Sequence, residues 1–388
     1  MELDMKKIVV RYLCFLLIFV MWLPAVHAEE SALEIESESA ILAEITTGQI
    51  LFEKNPDERM KIASVTKVMT MLLIMESLHS GKISMEDTVT VSERACSMGG
   101  SQVYLSPGEQ MSVSDMLKAI AVASANDASV AMAEHIMGSE EAFADAMNKR
   151  AKALGMENTN FINANGLDGE NQYSSARDVA IMSCELMKHE AIRSYLQIWT
   201  DSLRDGAFGL ANTNKLIRFY QGATGIKTGS TSEAKYCLSA SAERDGLELV
   251  AVILAGPTSQ DRFNNASKLL DHGFANYAMV SGAERGQSFG EAAVSKGAEK
   301  QVAVAAAEDF ERLVSKDKKG SVEVIPVLPE YVVAPIKKEQ KIGELQIFID
   351  GEQVGTVSLA AQHEVKRITP WAMFVAMVRI WSMNERKA

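Results

Sequence analysis

Ser64-Val65-Thr66-Lys67 places a hydroxyl and an amine three residues apart at the start of an apolar, periodic stretch. A serine hydroxyl becomes a nucleophile only when a neighbouring base takes its proton. Residues i and i+3 share a helical face, so Lys67 can reach Ser64 Oγ. A lysine serves as that base when burial or nearby positive charge destabilises its ammonium. The positive end of the helix dipole acts the same way and favours a developing alkoxide. Alone the pattern is weak, because Ser232-x-x-Lys235 and Ser315-x-x-Lys318 also match it. Ordered company gives it weight. Ser124-Ala125-Asn126 follows sixty residues on, and Lys227-Thr228-Gly229 about a hundred after that. Ser382-x-Asn384 repeats the second pattern, but Lys-Thr-Gly occurs once. Ser124 can relay protons between Lys67 and a leaving amine, and Asn126 can hold a substrate amide. Lys227 and Thr228 offer charge and a hydroxyl to a carboxylate. Gly229 lets backbone approach closely, so that N–H groups point at an oxyanion.

Other nucleophiles and bases are less convincing. His79, His135, His189, His272 and His363 are scattered, with no HExxH and no pair at ligand spacing. No metal and no cofactor is implied. Cys96, Cys184 and Cys237 carry no cysteine-enzyme signature and read as small buried hydrophobes. Gly286-Gln287-Ser288-Phe289-Gly290 matches the G-x-S-x-G elbow, which needs a strand before and a helix after. It lies in a linker after a helical segment and reads as a loop.

The elements that must position these residues follow from periodicity. Residues 40–54 alternate as a strand, a turn at Thr47-Gly48 and a second strand. A helix from Ser64 to about Ser80 has Val68, Met71, Leu72, Met75 and Leu78 on one face and stops at Gly81. Helical periodicity returns over Val113–Met137, Glu140–Leu154 and Ser175–Lys188. Tyr236–Ala242 and Leu247–Leu254 form a hairpin around Arg244-Asp245-Gly246, and Asp261–Tyr277 reads as a closing helix. An α/β domain with an antiparallel sheet is expected. After about residue 283 come short alternating runs: 301–304, 322–328, 331–334, 345–349 and 353–359. They predict a small β-rich domain.

The ends carry a different signal. Lys6, Lys7 and Arg11 precede the apolar run Tyr12–Leu23 and the small-x-small site Val26-His27-Ala28, a secretory leader with cleavage after Ala28. Past Pro370, residues Trp371, Phe374, Val375, Val378 and Trp381 recur at helical spacing beside Arg379, Arg386 and Lys387. That suits a helix lying in a membrane's headgroup region. The 388 residues are 47% apolar with a formal net charge of −12, which argues against nucleic acid as a partner.

In order and spacing, the three motifs resemble those of penicillin-binding proteins and serine β-lactamases. Thr47-Gly48-Gln49-Ile50-Leu51, Ala63-Ser64-Val65-Thr66-Lys67 and Asn165-Gly166-Leu167-Asp168 narrow the likeness. So do Tyr173-Ser174-Ser175-Ala176-Arg177-Asp178, Gly225-Ile226-Lys227-Thr228-Gly229 and Arg262-Phe263. Over residues 38–277 the chain looks like the low-molecular-mass serine-type D-alanyl-D-alanine carboxypeptidases. The resemblance implies an α/β, serine β-lactamase/penicillin-binding-protein-like domain, with an antiparallel sheet flanked by helices. A small β-rich domain and a C-terminal amphipathic helix follow it. The expected partition is a signal peptide over 1–28, a catalytic domain over 29–282, a β-rich domain over 283–367 and an anchor over 368–388.

Carried over by position, the resemblance makes Ser64 the acylated nucleophile and Lys67 its general base. Ser124 and Asn126 form the second motif, and Lys227, Thr228 and Gly229 the third. Backbone N–H groups of Ser64 and Ser230 form an oxyanion hole, and Arg262 helps bind the terminal carboxylate. Asp178 matches a loop carboxylate linked to deacylation in some members, and some of those carry a histidine where this chain has Asn165. Lys235 stands where many relatives have glycine. The implied activity is removal of terminal D-alanine from peptidoglycan pentapeptide stems, with β-lactams as acylating inhibitors. The enzyme would work outside the cytoplasmic membrane, attached to its outer face. A serine β-lactamase is disfavoured because no Glu-x-x-Leu-Asn supplies a base for the deacylating water. A DD-endopeptidase or transpeptidase, and a non-catalytic cell-wall-binding scaffold, are the remaining alternatives.

Overall fold

The computed structural model describes residues 33–318 and 322–375, together with Val378. The expected leader over 1–28 lies outside them, as do Arg379, Trp381, Arg386 and Lys387. The first hairpin is β1 (Ser39–Glu44) and β2 (Ile50–Lys54). Two short hairpins follow, β3 (Thr88–Thr90) with β4 (Gln110–Ser112) and β5 (Thr200–Leu203) with β6 (Phe208–Ala211). Then come β7 (Ala223–Thr231), β8 (Lys235–Arg244) and β9 (Leu247–Gly256). Five of these strands form one antiparallel sheet in the order β2-β1-β9-β8-β7, which leaves one side of β7 unpaired. Every residue of β9 is buried, as expected for a strand covered on both faces.

Nine α-helices are described before Tyr277. They are α1 (Lys67–His79), α2 (Glu93–Cys96), α3 (Val113–Ala123), α4 (Asn126–Met137), α5 (Glu140–Ala153), α6 (Ala176–Met187), α7 (Glu190–Leu196), α8 (Leu216–Phe219) and α9 (Ser259–Asn276). Ser112, Ser139, Ser175 and Thr258 cap α3, α5, α6 and α9, each hydroxyl accepting a backbone N–H three residues on. Helix α9 covers β8 and β9, and Gly273 lets it sit against Leu249 and Leu42, where a Cβ would lie 2.4 Å from Leu249 Cδ1. Helix α6 packs on β1 and β9, and α1 packs between α6 and α4.

Two expectations change. Helix α1 is buried all round and not along one stripe: Met69, Leu73 and Ile74 are as hidden as Met71 and Leu72. Such a helix sits in the middle of a domain, with neighbours on every side. The stretch Val113–Met137 is two helices, because Ser124 adopts a left-handed conformation (φ 63°) and ends α3.

From Tyr277 the chain enters a β-rich region: β10 (Tyr277–Ala283), β11 (Ser288–Ser295), β12 (Gln301–Ala306), β13 (Phe310–Ser315), β14 (Val322–Val327), β15 (Val332–Val333), β16 (Lys341–Ile349) and β17 (Glu352–Ala361). Six of them make a sheet, β14-β16-β17-β12-β11-β15, and β10 pairs with β13. It has its own core, which includes Ala292, Val302, Val304, Ile347 and Leu359. Ser288 and Gly290, read as loop, belong to β11; no helix follows them, so the elbow geometry is absent there. At the far end Pro370 opens a helical turn. Thr369 Oγ1 accepts the Ala372 N–H, and Trp371 stacks on Phe374 with both rings exposed.

Candidate active site

Ser64 lies on a 3₁₀ turn, Ala63–Thr66, that runs into α1, and not within the α-helix itself. In a 3₁₀ turn side chains at i and i+3 eclipse, which brings Lys67 under Ser64. Ala63 just before it has φ 47°, a strained position for a residue with a Cβ. Ser64 is partly exposed, whereas Lys67 is wholly buried. Lys67 Nζ lies 3.1 Å from Ser64 Oγ and donates to Asn126 Oδ1 and to the Asn165 carbonyl, both at 2.6 Å. Burial holds the Lys67 ammonium well below a lysine's ordinary value, Lys227 lowers it further, and Asp127 acts against both. A neutral amine has two N–H bonds and one lone pair. Two carbonyl oxygens, which can only accept, take the two N–H bonds, and the lone pair is left facing the serine hydroxyl.

Asn126 opens α4, and its side chain is fixed at both ends: Oδ1 on Lys67, and Nδ2 donating to Gly99 O at 2.7 Å. Its backbone N–H goes to Ser101 O at 2.7 Å, so the 99–101 segment rests on the second motif. Ser124 is buried two residues away; among the described residues no hydrogen bond joins its hydroxyl to Lys67.

The third motif lies on β7, the strand with a free side. Gly229 is required there, because a Cβ would lie 2.6 Å from Ile62 O and 3.0 Å from Ser64 N. Only a glycine lets β7 come so close to the Ser64 turn. Lys227 is buried, and among the described residues its ammonium has one hydrogen bond, to Thr228 O at 3.1 Å. Burial, and next the Arg262 charge, bring Lys227 down to about 7. Thr228 Oγ1 donates to Thr213 Oγ1 at 2.7 Å. Arg262 is no surface charge. Its Nη1 donates to Gly229 O at 3.1 Å and Cys237 O at 3.4 Å, its guanidinium lies over the Tyr236 ring, and its buried Nε has no partner among the described residues.

Three further residues resolve differently. The Asp178 carboxylate accepts the Asn158 N–H and the Thr159 hydroxyl, both at 2.7 Å, so it organises the 158–159 backbone. Asn165 contributes its carbonyl to Lys67, a role its side-chain type does not announce. Lys235 pairs with Glu38 at 2.5 Å, half exposed, and ties the start of β8 to the start of β1. Periodicity and motif spacing missed Asp127 and Glu140, which are buried carboxylates near the site. In the sequence Asp127 is marked only as an acidic residue in the first turn of α4.

A partly exposed serine over a dry lysine, facing a glycine-bearing edge strand, on a sheet flanked by helices and followed by a β-rich domain, defines the penicillin-binding-protein class. The chain belongs to the D-alanyl-D-alanine carboxypeptidase family, peptidase S11, whose family model matches residues 25–258. Residues 277–367 match the C-terminal domain of penicillin-binding protein 5. The D-alanyl-D-alanine carboxypeptidase DacF of Bacillus subtilis (strain 168) is 45% identical over 369 residues, 92% of this chain and 95% of that protein. The crystal structure of penicillin-binding protein 5 from Haemophilus influenzae superposes with a TM-score of 0.70 at 33% identity, covering 86% of this chain and 98% of that one. Penicillin-binding protein D2 from Listeria monocytogenes, solved in its ampicillin-bound form, gives a TM-score of 0.57 at 31% identity over 62% of this chain and 98% of that one.

Proposed function

We propose that this enzyme is a serine D-alanyl-D-alanine carboxypeptidase that removes the terminal D-alanine of peptidoglycan stem peptides and is acylated by penicillins. The observation that carries the reading is the Lys67 amine, whose two N–H bonds are taken by Asn126 and Asn165 at 2.6 Å while its third direction meets Ser64. Ser64 Oγ attacks the carbonyl between the two D-alanines as its proton passes to Lys67 Nζ. The N–H groups of Ser64 and Ser230 hold the oxyanion; one such donor is worth about 10²–10³ in rate. The C–N bond breaks, and the leaving amine takes its proton from the Lys67 ammonium, relayed by Ser124 Oγ–H. The departing carboxylate rests against Lys227 and Thr228, with Arg262 adding its field from behind the strand. Lys67, neutral again, then takes a proton from the water that attacks the ester carbonyl and returns it to Ser64 Oγ as the acyl C–O bond breaks. A β-lactam follows the first half of this path.

Beyond the chemistry, the proposal includes a leader over 1–28, a catalytic domain over 29–282 and a β-rich domain over 283–367. A helix over 368–388 would anchor the enzyme to the outer face of the cell membrane. Labelling with fluorescent penicillin tests the nucleophile: wild type labels at Ser64 and Ser64→Ala does not, and equal labelling would sink the assignment. Incubation with a pentapeptide stem tests the reaction, with released D-alanine and no cross-linked product as the expected outcome.

A further inference from the structure

We infer that Glu140, with Arg94 behind it, is a positioning residue that sets the direction of the Lys67 lone pair through the backbone of residues 164–165. Glu140 is buried at the first position of α5, where the helix N-terminus favours a carboxylate. Its Oε1 accepts the Ala164 N–H at 3.2 Å and the Asn165 Nδ2 at 3.3 Å. Its Oε2 takes the Arg94 guanidinium at 2.8 Å. On the other side, Thr70 Oγ1 donates to the Ala164 carbonyl at 2.6 Å, and Gly166 has no room for a Cβ, which would lie 2.1 Å from Ala63 O. The segment is therefore pinned from α5 on one flank and from α1 on the other. Between the pins, the Asn165 carbonyl meets Lys67 Nζ at 2.6 Å.

The consequence is directional. Without the Glu140 acceptor, the Ala164 N–H loses its partner, the Asn165 side chain keeps only the Leu167 N–H on its Oδ1 at 2.9 Å and Met98 Sδ at 3.6 Å, and the carbonyl swings from Lys67. The amine then has one fixed acceptor in place of two, and its lone pair no longer has a single orientation. A misplacement of about 1 Å in such a constellation costs about 10²-fold in rate. The charged groups around the amine are Lys227 from β7 and Asp127 from α4. Around Arg94 and Glu140 lie Glu134 and Glu141. Water entering beside Lys67 would restore part of its solvation, which raises its pKa and moves the acid limb of acylation to higher pH.

The inference rests on Lys67 being the base for Ser64, so Lys67→Met is measured alongside. The readout is the second-order rate of acylation by fluorescent penicillin from pH 5 to 10, on full-length protein with folding checked by circular dichroism. Glu140→Ala is expected to slow acylation about 10²-fold and to shift the acid limb upward by about half a pH unit. Glu140→Gln keeps an acceptor oxygen for Ala164 but sets an amide N–H₂ against Arg94. Arg94→Ala/Glu140→Gln removes that clash, and is expected to recover most of the wild-type rate and the wild-type limb. An unchanged rate and limb in Glu140→Ala would overturn the inference, as would a stability loss in that variant with no shift of the limb. If Glu140→Ala does not fold, the pair of Glu140→Gln variants decides: equal rates with and without Arg94 overturn it. If Lys67→Met itself acylates normally, the reading of the base fails first and separately.

Discussion

Gly229 and Lys227 show how much of the site depends on single atoms. A methyl group at Gly229 would meet the Ile62 carbonyl and the Ser64 N–H at 2.6 and 3.0 Å, so Gly229→Ala must push β7 away from the Ser64 turn. Acylation by fluorescent penicillin is expected to fall about 10²-fold or more, as for loss of an oxyanion donor, with only a small change in melting temperature. Lys227 pulls the other way, because it serves the site at a cost to the fold. Its folded value of about 7 lies below the ordinary 10.5. Between those values the unfolded chain binds the extra proton, so stability rises with pH there, and the penalty is complete below pH 7. Lys227→Met is expected to raise the melting temperature at pH 6 by about 2–4 °C, a gain that shrinks toward pH 10, while D-alanine release is lost. A melting temperature that falls equally at both pH values would refute this.

Helices α3 and α4 show why an element's interruption can matter more than its extent. The apolar periodicity from Val113 to Met137 is continuous, and neither glycine nor proline marks Ser124-Ala125. The break is imposed from outside: Asn126 N–H is taken by Ser101 O, and Asp127 accepts the N–H groups of Val103 and Leu105. Long-range bonds of this kind leave no local signature, so the reading as one helix follows from periodicity alone. Asp127 is also the anion that raises Lys67 against burial. In Asp127→Asn the Lys67 value therefore falls, and the acid limb of acylation moves to lower pH. Losing charged acceptors for buried N–H groups costs about 1–3 kcal/mol, measurable by urea unfolding. An acid limb that moves upward would contradict the role assigned to Asp127. Of the other elements, β1, β2, β8, β9, α5, α6 and α9 fall within a few residues of where alternation or helical spacing places them, whereas the short pieces β3–β6, α2, α7 and α8 and the strand β7 carried no periodic signal.

At the scale of the whole molecule, the catalytic fold and the β-rich region have separate cores, joined where α9 runs directly into β10. Lys316 reaches back across the junction to the Phe274 carbonyl. Nothing in the Ser64 site depends on residues beyond Asn276 among the described contacts. Among the described residues no helix is long and apolar enough to cross a membrane, while Trp371, Phe374 and Val375 are exposed at the start of the last helix. A chain ending at residue 367 is therefore expected to label with penicillin at the full-length rate. It should also lose binding to anionic lipid vesicles in a sedimentation assay. Retained vesicle binding would remove the anchor from the proposal.

The motifs could be read without a structure because acyl transfer demands a nucleophile, a base and an oxyanion site in a fixed order, and residue types announce the first two. Alternation and helical periodicity are local properties, so β1, β2, β8, β9 and the longer helices followed from them. What tertiary structure alone decided is the setting of Lys67. Its burial, the two carbonyls that take its N–H bonds and the carboxylates of Asp127 and Glu140 come from α4, α5 and the 164–165 loop, brought together from distant parts of the chain. A backbone carbonyl carries no letter in a sequence; only packing tells it where to point.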